Sequence, residues 1–313
     1  LHRFVIKRLL TMIPILLGVS FIIFTLMYFI PGDPATNILG PGALDSAVEQ
    51  LNEELGFNDP FIVRYVNYIK DLIFKFDFGK SYQNRLPVGG EILKRLPVSA
   101  KLAFGSISVS LLIGVPLGVL SAVKQYSLWD KIPTGAALLI AAMPAFITGM
   151  CLMLVFSLKL GWLPVSGVQY GLKSYILPVI SLGLPYGARQ LRFTRSSMLE
   201  TIRQDYVRTA KAKGASASKT IWGHAMKNAL MPVITVAGSS FGGLLGGAIA
   251  TESLFGLPGL GTYISEGIKL KDVNAVMGGI IVFAGMFAII MLLVDLSYAF
   301  VDPRIKARYT GRR

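Results

Sequence analysis

A chain of 313 residues is long enough for about two soluble domains, but 53% of it is hydrophobic and only 15% charged, against roughly 25% charged in an average globular protein. With a mean hydropathy of +0.60, the composition excludes a disordered chain or an ordinary nucleic-acid-binding protein, despite a net charge of +14. One cysteine, Cys151, and two histidines, His2 and His224, are too few for an internal disulfide or a Cys/His metal cluster.

A bilayer core requires about 20 apolar residues per helix, and stretches of that kind predict an all-α polytopic membrane protein with six spans. The first runs from Leu9 to Ile30. Arg3, Lys7 and Arg8 precede it as in a secretory signal, but the apolar run is too long and no small-residue cleavage site follows before Pro31, so residues 1–30 read as an uncleaved anchor. Residues 31–101 are long for a connector and carry helical signals of their own. Ser46 and Glu49 form a capping-box pattern ahead of Val48, Leu51 and Leu55, with Gly56 as a stop. After Asn58-Asp59-Pro60, Phe61, Tyr65, Ile69, Leu72 and Phe76 recur at helical spacing. The expectation is a small helical cap on the outer face, either packing on the spans or serving docking and gating.

The core, residues 102–301, is expected to hold the remaining spans: Leu102 to Val123, Ile132 to Leu158, Tyr175 to Ala188, Ala229 to Ala250 and Val276 to Phe300. The stretch from Tyr175 is the weakest, being short and interrupted by Pro178 and Pro185. Between the fourth and fifth spans lies a basic segment, 192–228, read as two helices joined at a glycine. Met198, Leu199, Ile202, Tyr206, Val207 and Ala210 form an apolar stripe, Lys211 and Lys213 suit the carbonyl end of a helix dipole, and Gly214 is placed to end the helix in the left-handed conformation. The second helix starts near Ser216 or Ser218 and runs through Ile221, Trp222 and His224. Such an elbow is stiff enough to transmit a push to the attached spans; the plainer alternative is a solvated basic loop that only fixes topology.

Gly238, Gly242 and Gly246 recur every fourth residue in the fifth span, beside Gly243 and Gly247. They make a face for close helix approach or a lining of exposed carbonyls along a path. Pro116, Pro133 and Pro144 imply kinks. A basic tail, 302–313, closes the chain. With six spans both termini share a side, and that side collects 19 of the 31 basic residues against 5 acids, while the other holds 12 of each. By the positive-inside rule the charged side, with both termini, is cytoplasmic, and the basic excess reports contact with anionic lipid or partner proteins rather than nucleic acid.

The chain shows no chemistry of its own. Gly214-Ala-Ser-Ala-Ser-Lys219-Thr220 lacks the glycine a phosphate-binding loop needs before its lysine, where Ser218 stands. His224 has no ligand-spaced neighbour, and no serine or cysteine has a base partner. The span centres hold no ionisable residue, Asp295 lying near one end of its span, which argues against an ion-coupled carrier. No catalytic, cofactor-binding or metal-binding residue is expected.

Several stretches together carry a resemblance: Pro31-Gly-Asp-Pro34, Leu55-Gly-Phe-Asn-Asp-Pro60, Thr194-Arg-Ser-Ser-Met-Leu-Glu200, Asp205-Tyr-Val-Arg-Thr-Ala-Lys-Ala-Lys-Gly214 with His224 and Asn228-Ala229, Thr251-Glu-Ser-Leu-Phe-Gly-Leu-Pro-Gly-Leu-Gly261, and Val301-Asp-Pro-Arg304. The chain resembles, from end to end, the permease subunits of peptide-type ATP-binding-cassette importers, which carry dipeptides, oligopeptides, nickel complexes and some oligosaccharides. The resemblance implies the type I importer permease fold and a bacterial or archaeal inner-membrane location. It implies that Asp205 to Gly214 and Ala215 to Asn228 couple to an ATPase, through Asp205, Tyr206, Arg208, Thr209, Ala210, Lys213, Gly214, His224 and Asn228. Arg208-Thr209-Ala210 stands where the general importer pattern has Glu-Ala-Ala, and Lys227 where that pattern ends in proline. The Thr251 to Gly261 loop, with Glu252, Phe255, Pro258 and Gly259, is implied to lie at the outer mouth. The implied partners are a second, related permease, two ATPases that hold the ATP and magnesium, and an outer substrate-binding protein.

Overall fold

The computed structural model describes residues 2–40 and 42–301, and an isolated bridge between Lys80 and Pro87 is the only extended pairing among them. In chain order the helices are α1 (His2–Phe29), α2 (Pro34–Leu39), α3 (Asp45–Glu54), α4 (Phe61–Lys75), α5 (Val88–Val123), α6 (Leu128–Ala142), α7 (Ala145–Leu152), α8 (Lys173–Ile202), α9 (Asp205–Ala212), α10 (Met226–Leu254), α11 (Leu260–Leu270) and α12 (Val273–Val301). Two π-helical segments, Met153–Lys159 and Lys219–Ala225, extend α7 and lead into α10. The expected tail, 302–313, and the Asp302-Pro-Arg304 part of the last matching stretch lie outside the described residues.

The expectation of six crossings is corrected. Among the described residues four helical stretches are long and apolar enough to cross a membrane, Val5–Phe29, Val88–Val123, Lys219–Leu254 and Val273–Tyr298; the number reaches five if the bent pair Leu128–Ala142 and Ala145–Lys159 counts as one. The predicted third span breaks where Met143 turns extended ahead of Pro144, and its halves meet at 104°; a residue before proline is pushed out of the helical region. The predicted fourth span is only the first half of α8, whose second half carries Arg189, Arg192, Arg195 and Glu200. That helix is enclosed by protein: Gln190 donates from Nε2 to the Val233 carbonyl at 3.1 Å, and Ser181 Oγ to the Ala145 carbonyl at 2.9 Å. Polar groups matched in this way by neighbouring helices do not require an apolar run. The parity argument that set both chain ends on the cytoplasmic side falls with the six-span count.

The chain forms two compact units. One is built from residues 2–6, Ala100–Leu257 and residues 289–301. At its centre α5 and α8 approach at backbone distance. A Cβ on Gly114 would lie 2.6 Å from the Gly187 carbonyl oxygen, one on Gly118 2.7 Å from the Leu191 carbonyl oxygen, and one on Gly183 2.8 Å from the Ser106 carbonyl oxygen. Gly114 and Gly118 on one helix thus face α8, which contributes Gly183 and Gly187: two small-xxx-small pairs. Gly149 of α7 seats against Leu254 and Ser181 in the same manner.

The other unit comprises Lys7–Ser99 and Pro258–Ala288. Phe21, Phe24 and Tyr28 of α1 stack on Phe61 and Tyr65 of α4, with ring centroids 5.1 to 6.0 Å apart, and Tyr65 donates to the Leu17 carbonyl at 3.1 Å. Asp33 caps α2, accepting from Ala35 N at 2.9 Å, and also accepts from Asn52 of α3 at 2.8 Å; Pro34 fills the first helical position, where no N–H is needed. The α3 start differs from expectation by two residues: Asp45 opens the helix and Leu44 precedes it without a side-chain cap bond, so Ser46 and Glu49 do not form a capping box. Lys271 and Asp272 tie this unit together from adjacent positions. The Lys271 ammonium donates to the carbonyls of Ile30 and Gly32 beyond the end of α1, and burial holds it below the usual lysine value. Asp272 opens α12, accepting from Ala275 N at 3.1 Å, Tyr82 N at 2.9 Å and the Ser81 hydroxyl.

Candidate functional site

The segment joining α8 to α10 is an elbow of two short limbs. α8 stops at Ile202, and Gln204 turns extended before α9 begins at Asp205. The apolar stripe from Met198 to Ala210 is therefore broken across two helices rather than carried on one. α9 lasts eight residues and ends at Ala212, with Lys213 as its C-cap; Gly214 follows at φ +82°, a conformation that disfavours any residue with a Cβ. The Thr220 N–H donates to the Ser216 carbonyl at 2.8 Å, and the chain then winds through the π segment into α10.

The elbow is bolted down by its apolar residues. Val207 is 4% exposed and packs with Val119, Ala122, Met198, Ala225, Met226 and Ala229, with Ile202 and Ile221 at the edge. Burying a valine of this kind contributes roughly 1.5 to 3 kcal/mol. Its neighbours point outward: Asp205, Tyr206, Arg208, Thr209, Lys213, Gly214 and Asn228 are exposed, while Ala210 and His224 are half-buried. Thr209 is occupied locally, donating to the Asp205 carbonyl at 2.8 Å. Between the limbs opens a groove of about 350 Å³ whose walls include Ile202, Val207, Thr220 and Ile221 and whose rim carries Arg208 and Lys211. Of the residues that resemblance singles out, the structure brings Arg208 to this groove and sets Tyr206 and Lys213 on open surface.

One constellation escapes the sequence reading. Arg195, ten residues before α9, makes a bidentate pair with Asp130 of α6, Nε to Oδ1 at 2.6 Å and an NH2 group to Oδ2 at 2.8 Å. The Asp130 carboxylate also accepts from Tyr126 N at 2.9 Å and Thr134 Oγ1 at 3.2 Å, so its lone pairs are well used. The pair fixes the α5–α6 turn against the helix that leads into the elbow. A signal existed: Asp130 is the only acidic residue between Glu91 and Glu200.

The Thr251 to Gly261 stretch is largely helical, leaving Phe255 to Gly259 as connector. Glu252 and Phe255 are fully buried. Gly256 adopts φ +59°, and the Phe255 carbonyl accepts from Gly167 N at 2.9 Å. Pro258 is exposed, and the buried Gly259 precedes α11, its carbonyl accepting from Tyr263 N at 3.2 Å. The glycines of α10 divide by face. Gly238 is packed on Val294, Gly243 on Tyr186 and Gly247 on Leu182, Gly242 is half-buried, and a Cβ on Gly246 would meet nothing.

The described helices align in fold with solved ABC-transporter chains. A methionine ABC transporter, MetNI, in an inward-facing conformation aligns with TM-score 0.56 at 16% identity, covering 68% of this chain and 97% of that one. An amino acid ABC transporter structure with histidines aligns with TM-score 0.54 at 12% identity, over 66% and 92% of the two chains. The fold is that of an ABC-importer permease. At the sequence level, residues 114–307 match the model of the binding-protein-dependent transport system inner membrane component, and residues 1–103 match its N-terminal companion. The dipeptide transport system permease protein DppB of Alkalihalophilus pseudofirmus is 39% identical, over 97% of this chain and 99% of its own length. The glutathione transport system permease protein GsiC of Escherichia coli is 37% identical over the same shares. The chain belongs to the binding-protein-dependent transport system inner membrane component family, in its peptide-type branch. It is a multi-pass membrane permease and not an enzyme, one component of an importer whose general plan is two permeases, an ATPase dimer and a substrate-binding protein.

Proposed function

We propose that this permease carries short peptides and that the elbow from Asp205 to Asn228 receives the ATPase stroke. The observation that carries the cargo assignment is the near-complete alignment with dipeptide and glutathione permeases at 39% and 37% identity. Residues 31–101 then form an extracytoplasmic cap for the substrate-binding protein, residues 102–301 the core of the path, and 192–228 the coupling segment. The partner permease is a related second chain, giving a heterodimer with two ATPases beneath it. The elbow suits its role because Val207 and Ile221 anchor it in the core while the Arg208 and Lys211 rim stays open. A side chain of the ATPase seated in that groove bears on α8 and α10 together. ATP-driven closure selects one bundle arrangement, and the loaded binding protein biases the same equilibrium.

The test replaces Gly214 with valine and, separately, Ala210 with aspartate. Both variants should insert normally, lose ATP-dependent uptake of a labelled dipeptide, and release the ATPases in pull-down. Normal uptake in both would overturn the coupling assignment. Failure of the unaltered complex to take up any di- or tripeptide, with ATPase activity intact, would overturn the cargo assignment instead.

A further inference from the structure

A groove of about 540 Å³ runs between α5, α10 and α12, and its lining is almost wholly apolar, including Phe104, Leu111, Val233, Phe241 and Val294. Trp222 closes one end and is itself 53% exposed. Among the α10 residues on the groove, Leu230, Ile234, Ala237 and Phe241 share one stripe, which continues one turn back to the exposed Lys227. Lys219, one π turn before Gly223 and alongside it, is also exposed. No acidic residue occurs between Asp205 and Glu252, whereas Arg208, Lys211, Lys213, Lys219 and Lys227 do. The oily groove therefore reaches Trp222, with exposed lysines on the adjoining turns, a tryptophan–lysine neighbourhood of the kind found at the headgroup level of a bilayer. Its length fits as well: the groove's α10 wall from Leu230 to Phe241 spans roughly 17 Å of helix, compared with about 15 Å for half of a hydrocarbon core.

From this continuity of apolar wall and cationic mouth we propose that the groove is a binding site for an anionic phospholipid, one acyl chain lying between α5, α10 and α12 and the phosphate facing Lys219 and Lys227. The occupant is lipid rather than a protein helix because the charge at the mouth is of one sign and Trp222 stands where a glycerol backbone would rest. A lipid there touches the π segment that joins the elbow to α10, so it sets how firmly that joint is held. The site stands whether or not the elbow couples to an ATPase, since it depends only on the wall and the mouth.

The assembled complex, with Trp129 and Trp162 of this chain and the tryptophans of its partner chains changed to phenylalanine so that Trp222 alone reports, is reconstituted with brominated phosphatidylglycerol or brominated phosphatidylcholine at a low mole fraction. Phosphatidylglycerol should quench Trp222 preferentially. Lys227→Gln and Lys219→Gln should each cut that preference roughly fivefold, while Lys227→Arg retains it and Ala237→Phe, which fills the floor, lowers quenching by both lipids. Equal quenching by the two lipids, or a preference untouched by both lysine variants, overturns the proposal. So does quenching seen in the isolated chain but absent from the complex, which would assign the groove to the partner permease. Co-elution of the complex is the assembly control for every variant.

Discussion

Asp130 and Arg195 show how one ion pair holds the helix that feeds the elbow. The Asp130 side chain is 5% exposed and that of Arg195 25%, so removing the acid leaves a mostly buried guanidinium without its counter-ion. Breaking such a pair costs about 3 kcal/mol, the lower end of the usual range because Arg195 keeps some water. Asp130→Leu should therefore lower the thermal midpoint of the purified protein clearly. The double variant Asp130→Leu with Arg195→Met, which removes both charges, should recover most of the loss. A single variant that melts with the parent would mean that the pair adds nothing, and a double variant no better than the single would mean that the hydrogen bonds to Tyr126 and Thr134 matter more than the charge.

Among the elements, the α5–α8 crossing is the rigid joint, and its glycines are not interchangeable with those of α10. A β-branched side chain at Gly118 would be driven into the Leu191 carbonyl, an overpacking cost of about 1 to 3 kcal/mol, so Gly118→Val should give poorly folded, aggregation-prone protein. Gly246 faces open space, and Gly246→Ala should be neutral or stabilising by up to about 1 kcal/mol; detergent melting curves of the two variants separate these cases. The sequence pointed to the α10 glycines because they repeat visibly in one apolar run, and overlooked Gly114, Gly118, Gly183 and Gly187, which acquire meaning only once two distant helices are seen to touch. The same distinction governs the helices. Composition was enough for the all-α membrane class, for α4 and for the turn at Gly214, all set by local chemistry. The break at Met143 and the enclosure of α8 were not legible, because a run of apolar residues does not say whether protein or lipid surrounds it. For the site, the burial of Val207 followed from periodicity, whereas Tyr206, read on the same apolar stripe, is exposed, and the Asp130–Arg195 pair needed tertiary contact across 65 residues.

The chain is a permease subunit of an ABC importer and not an enzyme. Three of its buried charges are committed to structure. Asp130 answers Arg195, Asp272 opens α12, and Lys271 is spent on the carbonyls that follow α1. Among the described residues no group of three or more His, Cys, Asp or Glu side chains is disposed to hold a metal ion. An ion-driven carrier requires at least one ionisable group whose protonation or ligation differs between two states, and groups pinned by bidentate or capping bonds resist that change. Reconstituted alone in vesicles, the chain should accumulate no dipeptide under an imposed proton or sodium gradient. With the second permease, the ATPases and the binding protein added, uptake should appear and depend on ATP inside the compartment that holds the elbow. The diagnostic comparison is Asp130→Asn in the complete assembly. A structural acid leaves the number of peptides carried per ATP unchanged while lowering the midpoint of melting; an energy-coupling acid changes that ratio or abolishes gradient-driven flux. Accumulation by the chain alone, driven by either ion gradient, would show that the bundle contains its own motor and would sink the assignment of the stroke to the ATPases.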